Sequence, residues 1–166
     1  DYNKGLINKK IIKKIVSEAN KNNIKVYVDP KQNPSVYDNV NFATPNEREY
    51  AKLFLNKNDY DYKIDFNKKI FEKHNIENLI ITRGGEGYTF ISKDKKVYHG
   101  KAEKVDVFDI CGAGDTFISY FALFNFLLKD EIRSLKIATK FASLSVTNFG
   151  IYAPSKEDLI NIISYE

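Results

Sequence analysis

Two periodicities alternate along this chain. Between residues 6 and 22, Leu6, Ile7, Ile11, Ile15 and Ala19 recur at three- and four-residue steps with lysines between them, which predicts an amphipathic helix. Lys25–Pro30 is a short β-rich run closed by a proline, and Val40-Asn41-Phe42-Ala43 is a second; both predict short strands. Helix signals resume at Thr44, and a further helix is expected over roughly 64–74. Leu79-Ile80-Ile81-Thr82 predicts a third strand. Tyr88–Ile91 and Lys96–His99 predict a hairpin across Ser92–Lys95. From Ala113 onward the helical period dominates, over 114–128, 131–147 and 155–164. Helices interleaved with short apolar strands predict an α/β layered domain with a mainly parallel sheet. No internal repeat or low-complexity linker divides it, so one domain is expected. The first helix needs a sheet to pack on, yet no strand precedes it, so the chain is expected to be a segment of something longer.

Composition narrows the function classes. Hydrophobic residues make up 43% of the chain and charged residues 29%, ordinary globular usage that argues against disorder. No apolar run approaches the ~20 residues needed to cross a bilayer, and the first five residues lack the basic start and apolar core of a signal peptide. A single cysteine excludes an intrachain disulfide and a cysteine-based zinc cluster, which fits a reducing, cytoplasmic setting. The net charge of +4 does not point to nucleic acid. Of the 26 basic side chains only Arg48, Arg83 and Arg133 are arginines, and the lysines are spread along the chain rather than gathered in one stripe.

The chemistry concentrates in Asp109-Ile110-Cys111-Gly112-Ala113-Gly114-Asp115, between a strand-like run at 105–108 and a long apolar helix. Three small residues at 112–114 let successive backbone N–H groups converge on one point. The following helix adds its unpaired amides and the positive end of its dipole, an arrangement suited to a phosphate in transfer. A carboxylate beside an anion site is electrostatically awkward unless it has a task, and the task expected of Asp115 is to accept a proton from an attacking hydroxyl. Its ordinary pKa of ~3.9 is low for a base, but in phosphoryl transfer through a loose transition state positioning outweighs basicity. The plain alternative is a first-turn helix acid beside an ordinary glycine turn. Phe117 stands where a dinucleotide fingerprint would place its third glycine, and no Gly-Lys-Ser/Thr follows, so neither a Rossmann nor a Walker loop is expected.

These residues resemble the ribokinase (PfkB-type) carbohydrate kinases, whose signature reads Asp-Thr-x-Gly-Ala-Gly-Asp. Thr44-Pro45-Asn46-Glu47-Arg48-Glu49 resembles that family's Asn-x-x-Glu segment, and Thr82–Gly87 its nucleotide-side glycine turn. The combination of Asp1-Tyr2-Asn3-Lys4-Gly5, Val28-Asp29-Pro30-Lys31 and Thr44-Pro45-Asn46 is most similar to the branch that phosphorylates the anomeric hydroxyl of D-glycero-D-manno-heptose 7-phosphate for lipopolysaccharide or surface-glycan precursors. In some members that kinase is fused to an adenylyltransferase. The resemblance implies a three-layer ribokinase-like fold, present here over residues 1–166 as its C-terminal, nucleotide-binding and catalytic part. The N-terminal sugar pocket, and the lid through which a homodimer would form, are expected to lie outside this segment.

The resemblance also implies ATP and Mg2+ as cofactors, a sugar or sugar phosphate as acceptor, and no nucleic-acid or membrane partner. Asn46 and Glu49 would hold the magnesium–phosphate network, Glu49 through water. Thr82, Gly84 and Gly87 would lie near the nucleotide, Lys31 near phosphate, and Asp109 would be a candidate ligand of a monovalent cation such as K+. Read physically instead, Thr44 is expected to cap the helix, with Pro45 at its first position and Glu47 closing a capping box. Cys111, where relatives carry a hydroxyl, is expected to serve packing. Thr139 falls where relatives carry an asparagine near the adenine. Three other readings stay open: a different sugar or nucleoside kinase of the family, a nucleotide-binding segment without turnover, and a purely structural module.

Overall fold

The computed structural model describes residues 4–56, 69–94 and 96–164. They gather into two compact units. Residues up to Arg83 together with Tyr88–His99 form the first; Gly84–Gly87 and the residues from Gly100 onward form the second.

A five-stranded sheet organises the first unit, in the order β1 (Tyr27–Val28), β2 (Phe42–Ala43), β3 (Asn78–Thr82), β4 (Tyr88–Ser92), β5 (Val97–Gly100). β1 and β2 run parallel, with Tyr27 opposite Phe42, and β2 and β3 run parallel, with Ala43 opposite Leu79. β3 and β4 are antiparallel, with Thr82 opposite Tyr88. The sheet is therefore mixed, because a connection as short as 83–87 can join only antiparallel strands. β3 reads as an unbroken apolar run because Leu79, Ile80 and Ile81 are all fully buried. Around it pack Val16, Tyr37, Val40, Tyr50, Ile76 and Ile91, each aliphatic side chain contributing about 1.5–3 kcal/mol relative to exposure.

Helix α1 (Lys9–Lys21) starts at Asn8, whose side chain accepts from the N–H groups of Lys10 and Ile11. It buries Val16 and Ala19, with Ile12 packed beside them, whereas Leu6, Ile11 and Ile15 are exposed. The buried stripe is thus 12/16/19 rather than the expected 11/15/19. Starting the helix at residue 9 sets its rotation, and two apolar stripes were available to face the sheet. Helix α2 (Glu47–Glu49) continues into a π-helical turn, Tyr50–Phe54. Of the helix expected at 64–74, α3 (Lys69–His74) is present, and 64–68 lie outside the described residues.

The second unit is built from α4 (Ala113–Leu128), α5 (Glu131–Ser145) and α6 (Lys156–Ser164). Lys129, in the left-handed conformation, ends α4, and Asp130 caps α5 by accepting from the N–H of Arg133. Phe124, Ile137 and Phe141 form the core, with Tyr120 stacked on Phe141 at 3.7 Å between ring centroids. Ser155 and Asp158 cap α6 reciprocally, each side chain accepting from the other's backbone N–H. The strand expected at 105–108 is absent. Among the described residues no strand pairs with it, and Val107 and Phe108 are exposed. Alternating apolar residues make a strand only where a ladder partner exists.

Candidate active site

The glycine turn lies wholly in the second unit. Gly112 is the N-cap of α4 at φ +78°, a left-handed conformation that a side chain would strain. Ala113 N–H reaches back to the carbonyl of Ile110, and the first intrahelical bond runs from Thr116 N–H to Gly112 C=O at 2.8 Å. Of the amides ahead of that bond, Ala113's is taken by Ile110, while those of Gly114 and Asp115 lie at the helix end with no side chain of the N-cap residue over them. Gly114, at the second helical position, is exposed. Outside its own helix backbone and chain neighbours, a Cβ built there would meet no described heavy atom within 4 Å. Packing therefore does not demand this glycine. Its effect is to leave the helix end uncovered. Asp115 follows in the first turn and is exposed beside the same amides.

Asp109 braces this turn. Its Oδ1 accepts from the N–H of Cys111 at 2.9 Å and its Oδ2 from the N–H of Gly150 at 3.1 Å. Cys111 is exposed, which corrects the expectation that it serves packing. Its backbone is tied inward to Asp109 while the thiol faces out. Thr139 is buried, with its hydroxyl donating to the carbonyl of Leu135 inside α5.

The first unit holds a second cluster at the carboxyl ends of the parallel strands. Asn46, not Thr44, is the N-cap of α2: its side chain accepts from Glu49 N–H at 2.9 Å, and Glu49 Oε2 accepts from Asn46 N–H at 2.9 Å. The expected box of Thr44 and Glu47 is therefore displaced by two residues. Thr44 is instead drawn inward, its N–H and hydroxyl both donating to Val28 C=O. The two residues that resemblance assigns to the magnesium network thus form the structural cap as well. Lys31 bridges the ends of the cluster, with Nζ 3.0 Å from Asp29 Oδ1 and 2.5 Å from Glu49 Oε1. Burial pulls the Lys31 ammonium down, but the bonds to Glu49 and Asp29 outweigh it and leave it above its ordinary value. Burial pushes the Asp29 carboxyl up, against the lowering effect of Lys31. Lys31 thus stays charged at neutral pH, with two carboxylate partners. The Tyr37 hydroxyl, fully enclosed, accepts from Lys31 N–H at 3.1 Å and holds the loop.

Thr82 joins this cluster: its N–H donates to Pro45 C=O at 3.0 Å, and an isolated bridge pairs it with Asn46. Beyond it, Gly84–Glu86 form a 3-10 turn closed by Gly87 N–H on Gly84 C=O. Gly84 (φ +52°) is exposed, whereas Gly87 (φ +92°) is buried, and a Cβ there would overlap the carbonyl oxygen of Gly100 and lie 2.7 Å from the nitrogen of Ala102. The sequence alone assigned no role to Asp29, Tyr37 or Gly150. Gly150 meets a partner 41 positions away, and Asp29 and Tyr37 gather around Lys31, whose place is fixed by Glu49 18 positions further on; the Asp109–Cys111 contact, an Asx-type turn, had a local signal.

Residues 6–158 match the pfkB family carbohydrate kinases. The chain belongs to this carbohydrate kinase family. Curated relatives named bifunctional protein HldE are 31% identical over 153 residues in Campylobacter curvus and 31% over 160 residues in Hydrogenovibrio crunogenus. These alignments cover 90% and 96% of this chain but 32% and 33% of the relatives, so the chain spans about a third of their length. Among solved structures, a ribokinase from Arabidopsis thaliana complexed with ribose and ATP aligns with a TM-score of 0.80 at 20% identity. It is matched over 95% of this chain and 53% of its own. Phosphofructokinase-2 from Escherichia coli, in complex with potassium, aligns at 0.76 and 17%, over 95% and 52%. The pfkB-family chain therefore has a ribokinase-like fold.

Proposed function

We propose that this chain is the nucleotide-binding, catalytic C-terminal part of an ATP-dependent sugar kinase. The observation that carries this reading is the left-handed Gly112 cap with Gly114 left uncovered and Asp115 in the same helical turn. Convergent amides at the end of α4 stabilise charge on the phosphoryl group as it moves, and Asp115 takes the proton from the attacking sugar hydroxyl. By resemblance to the heptose 7-phosphate kinase branch, the acceptor is C1 of D-glycero-D-manno-heptose 7-phosphate, and the setting is cytoplasmic. Glu49 suits magnesium held through water: one oxygen is bound to Asn46 N–H and the other to Lys31. Bound there, the ion would neutralise charge on a nucleotide's phosphates. Lys31 then orients Glu49 rather than gripping phosphate itself. Thr82 and Gly84 serve the nucleotide side, and Gly87 shapes the turn that carries Gly84.

The test is turnover by a form of the protein extended to its relatives' length, offered heptose 7-phosphate, fructose 6-phosphate and ribose. Phosphorylation of the heptose alone supports substrate and mechanism together. Activity on another sugar keeps the mechanism and discards the substrate. In that form Asp115→Asn should lower kcat by about 10²–10⁴ with ATP affinity nearly unchanged. Near-normal turnover would remove Asp115 from the reaction. A second reading, nucleotide binding without turnover, is favoured for the isolated chain because it spans about half of the solved kinases' length. Heat on titration with Mg·ATP, without sugar phosphorylation, would support it.

A further inference from the structure

We propose that Asp109 presets the phosphate-facing turn. It is a positioning residue for the phosphoryl transfer proposed above, and the inference rests on that reading. The segment that leads into the turn has little else to hold it: it lies in no strand, and Val107, Phe108, Ile110 and Cys111 are exposed. Its order comes from the segment at 146–151. Phe108 N–H and Asp109 N–H both donate to Val146 C=O, at 2.8 and 3.3 Å. The Asp109 carboxylate then closes the clamp. One oxygen accepts from Cys111 N–H, just before the Gly112 cap, and the other from Gly150 N–H, 41 residues further on. On the far side of the turn, the Ile151 side chain sits at van der Waals distance from where a Cβ of Gly112 would stand, 3.4 Å away.

Both partners of the carboxylate are backbone donors, and that selects the residue type. Ser, Thr or Asn at 109 could keep the local bond to Cys111, as such side chains do two residues ahead of them in turns. Only a carboxylate offers two acceptor oxygens, so only Asp closes both contacts at this side-chain length. A further negative charge close to an anion site is a cost, and the clamp gives the position a reason to bear it that is independent of any monovalent cation. By fixing Cys111 and Gly150 together, Asp109 sets the direction in which the amides beyond Gly112 point before any nucleotide arrives.

The test compares Asp109→Ala, Asp109→Asn and the control Asp130→Ala, which removes the cap of α5 instead. Amide hydrogen exchange is read by NMR on this chain, at Cys111 and Gly150. Asp109→Ala should speed exchange at both amides at least about ten-fold, Asp109→Asn at one of the two, and Asp130→Ala at neither. Unchanged exchange in Asp109→Ala, or equal loosening in Asp130→Ala, overturns the clamp. In the form competent for turnover, Asp109→Asn should lower kcat about ten-fold or more while the KM for ATP stays within two-fold. Loosened amides with an unchanged kcat per folded molecule overturn the positioning role. Absence of turnover in the wild type counts against the proposed function instead, and the exchange data alone then decide the clamp.

Discussion

Replacing Gly114 by Ala separates fold from function because the structure gives the two effects opposite signs. Glycine inside a helix costs about 0.5–1 kcal/mol relative to alanine. Position 114 lies one residue inside α4, and its Cβ would meet nothing within 4 Å beyond its own helix and neighbours. The backbone there needs no left-handed conformation, in contrast to Gly112. The substitution should therefore stabilise the chain by up to about 1 kcal/mol, or about 2–4 °C in Tm for a chain of this size. On the proposed function, the same methyl would stand at the end of the helix where an anion approaches the amides. Alanine keeps its N–H, but blocking the anion's approach to one such donor in the transition state should cost about 10²–10³ in kcat. The assays are urea denaturation followed by circular dichroism, and coupled ATP turnover in the form competent for it. A loss of stability above about 1 kcal/mol would mean that the fold itself needs the glycine. Turnover within two-fold of wild type would mean that no anion sits at the end of α4.

At Gly87 the signs coincide. Alanine there would run into the backbone of Gly100, Lys101 and Ala102 with φ at +92°, so Gly87→Ala should cost about 3 kcal/mol or more in urea denaturation; a cost below 1 kcal/mol would refute the close approach. Lys31→Met should destabilise by about 2–3 kcal/mol, because it leaves Asp29 and Glu49, each only 20% exposed, without their shared cation; an unchanged urea midpoint would show that the pair is not stabilising. Alkaline pH supplies another check. Burial raises Tyr37 and Tyr88, and Lys31 is raised by the bonds that outweigh its burial, so all three keep their protons in the folded chain after the unfolded chain has lost them. The folded state then binds more protons, and stability should be full below about pH 10 and fall as pH rises through the folded values. Urea midpoints from pH 8 to 11 should show that decline, with tyrosinate absorbance at 295 nm appearing together with unfolding. A flat midpoint, or ionisation of Tyr37 and Tyr88 in the folded chain, seen as absorbance missing from the Tyr37→Phe and Tyr88→Phe variants, would refute it.

Much of the fold is legible in the chain because it follows from local pattern. β3 is an apolar run bounded by polar residues, the 88–99 hairpin alternates around a short turn, and the three helices of the second unit keep their 3.6-residue period throughout. Where pattern fails, two local solutions are equally good and a remote contact chooses between them. Thr44–Glu47 and Asn46–Glu49 both have the spacing of a capping box. Asn46 takes the role because Thr44 bonds to Val28 and Pro45 C=O receives Thr82 N–H, which keeps residues 44–45 extended as a continuation of β2. Likewise 105–108 alternates like a strand, yet a strand is a property of two segments, and the described chain supplies only one.

The candidate site divides along the same line. Gly112, Gly114 and Asp115 are neighbours in sequence, so their convergence on the helix end follows from the order of residues alone. The Asp29–Lys31–Glu49 network does not, since it exists only once β1 and β2 pair and bring residues 18 positions apart within 2.5 Å. That difference changes what Lys31 is for. A lysine read alone in a loop is a free cation, available to phosphate. The same lysine between two carboxylates carries no spare charge, and the group of three is net negative. On the proposed function, such a group would repel a bare phosphate and attract a hydrated divalent cation, whose own charge would then draw the nucleotide in. The cation, rather than the lysine, would carry the attraction, and Lys31 would keep Glu49 aligned while it does so.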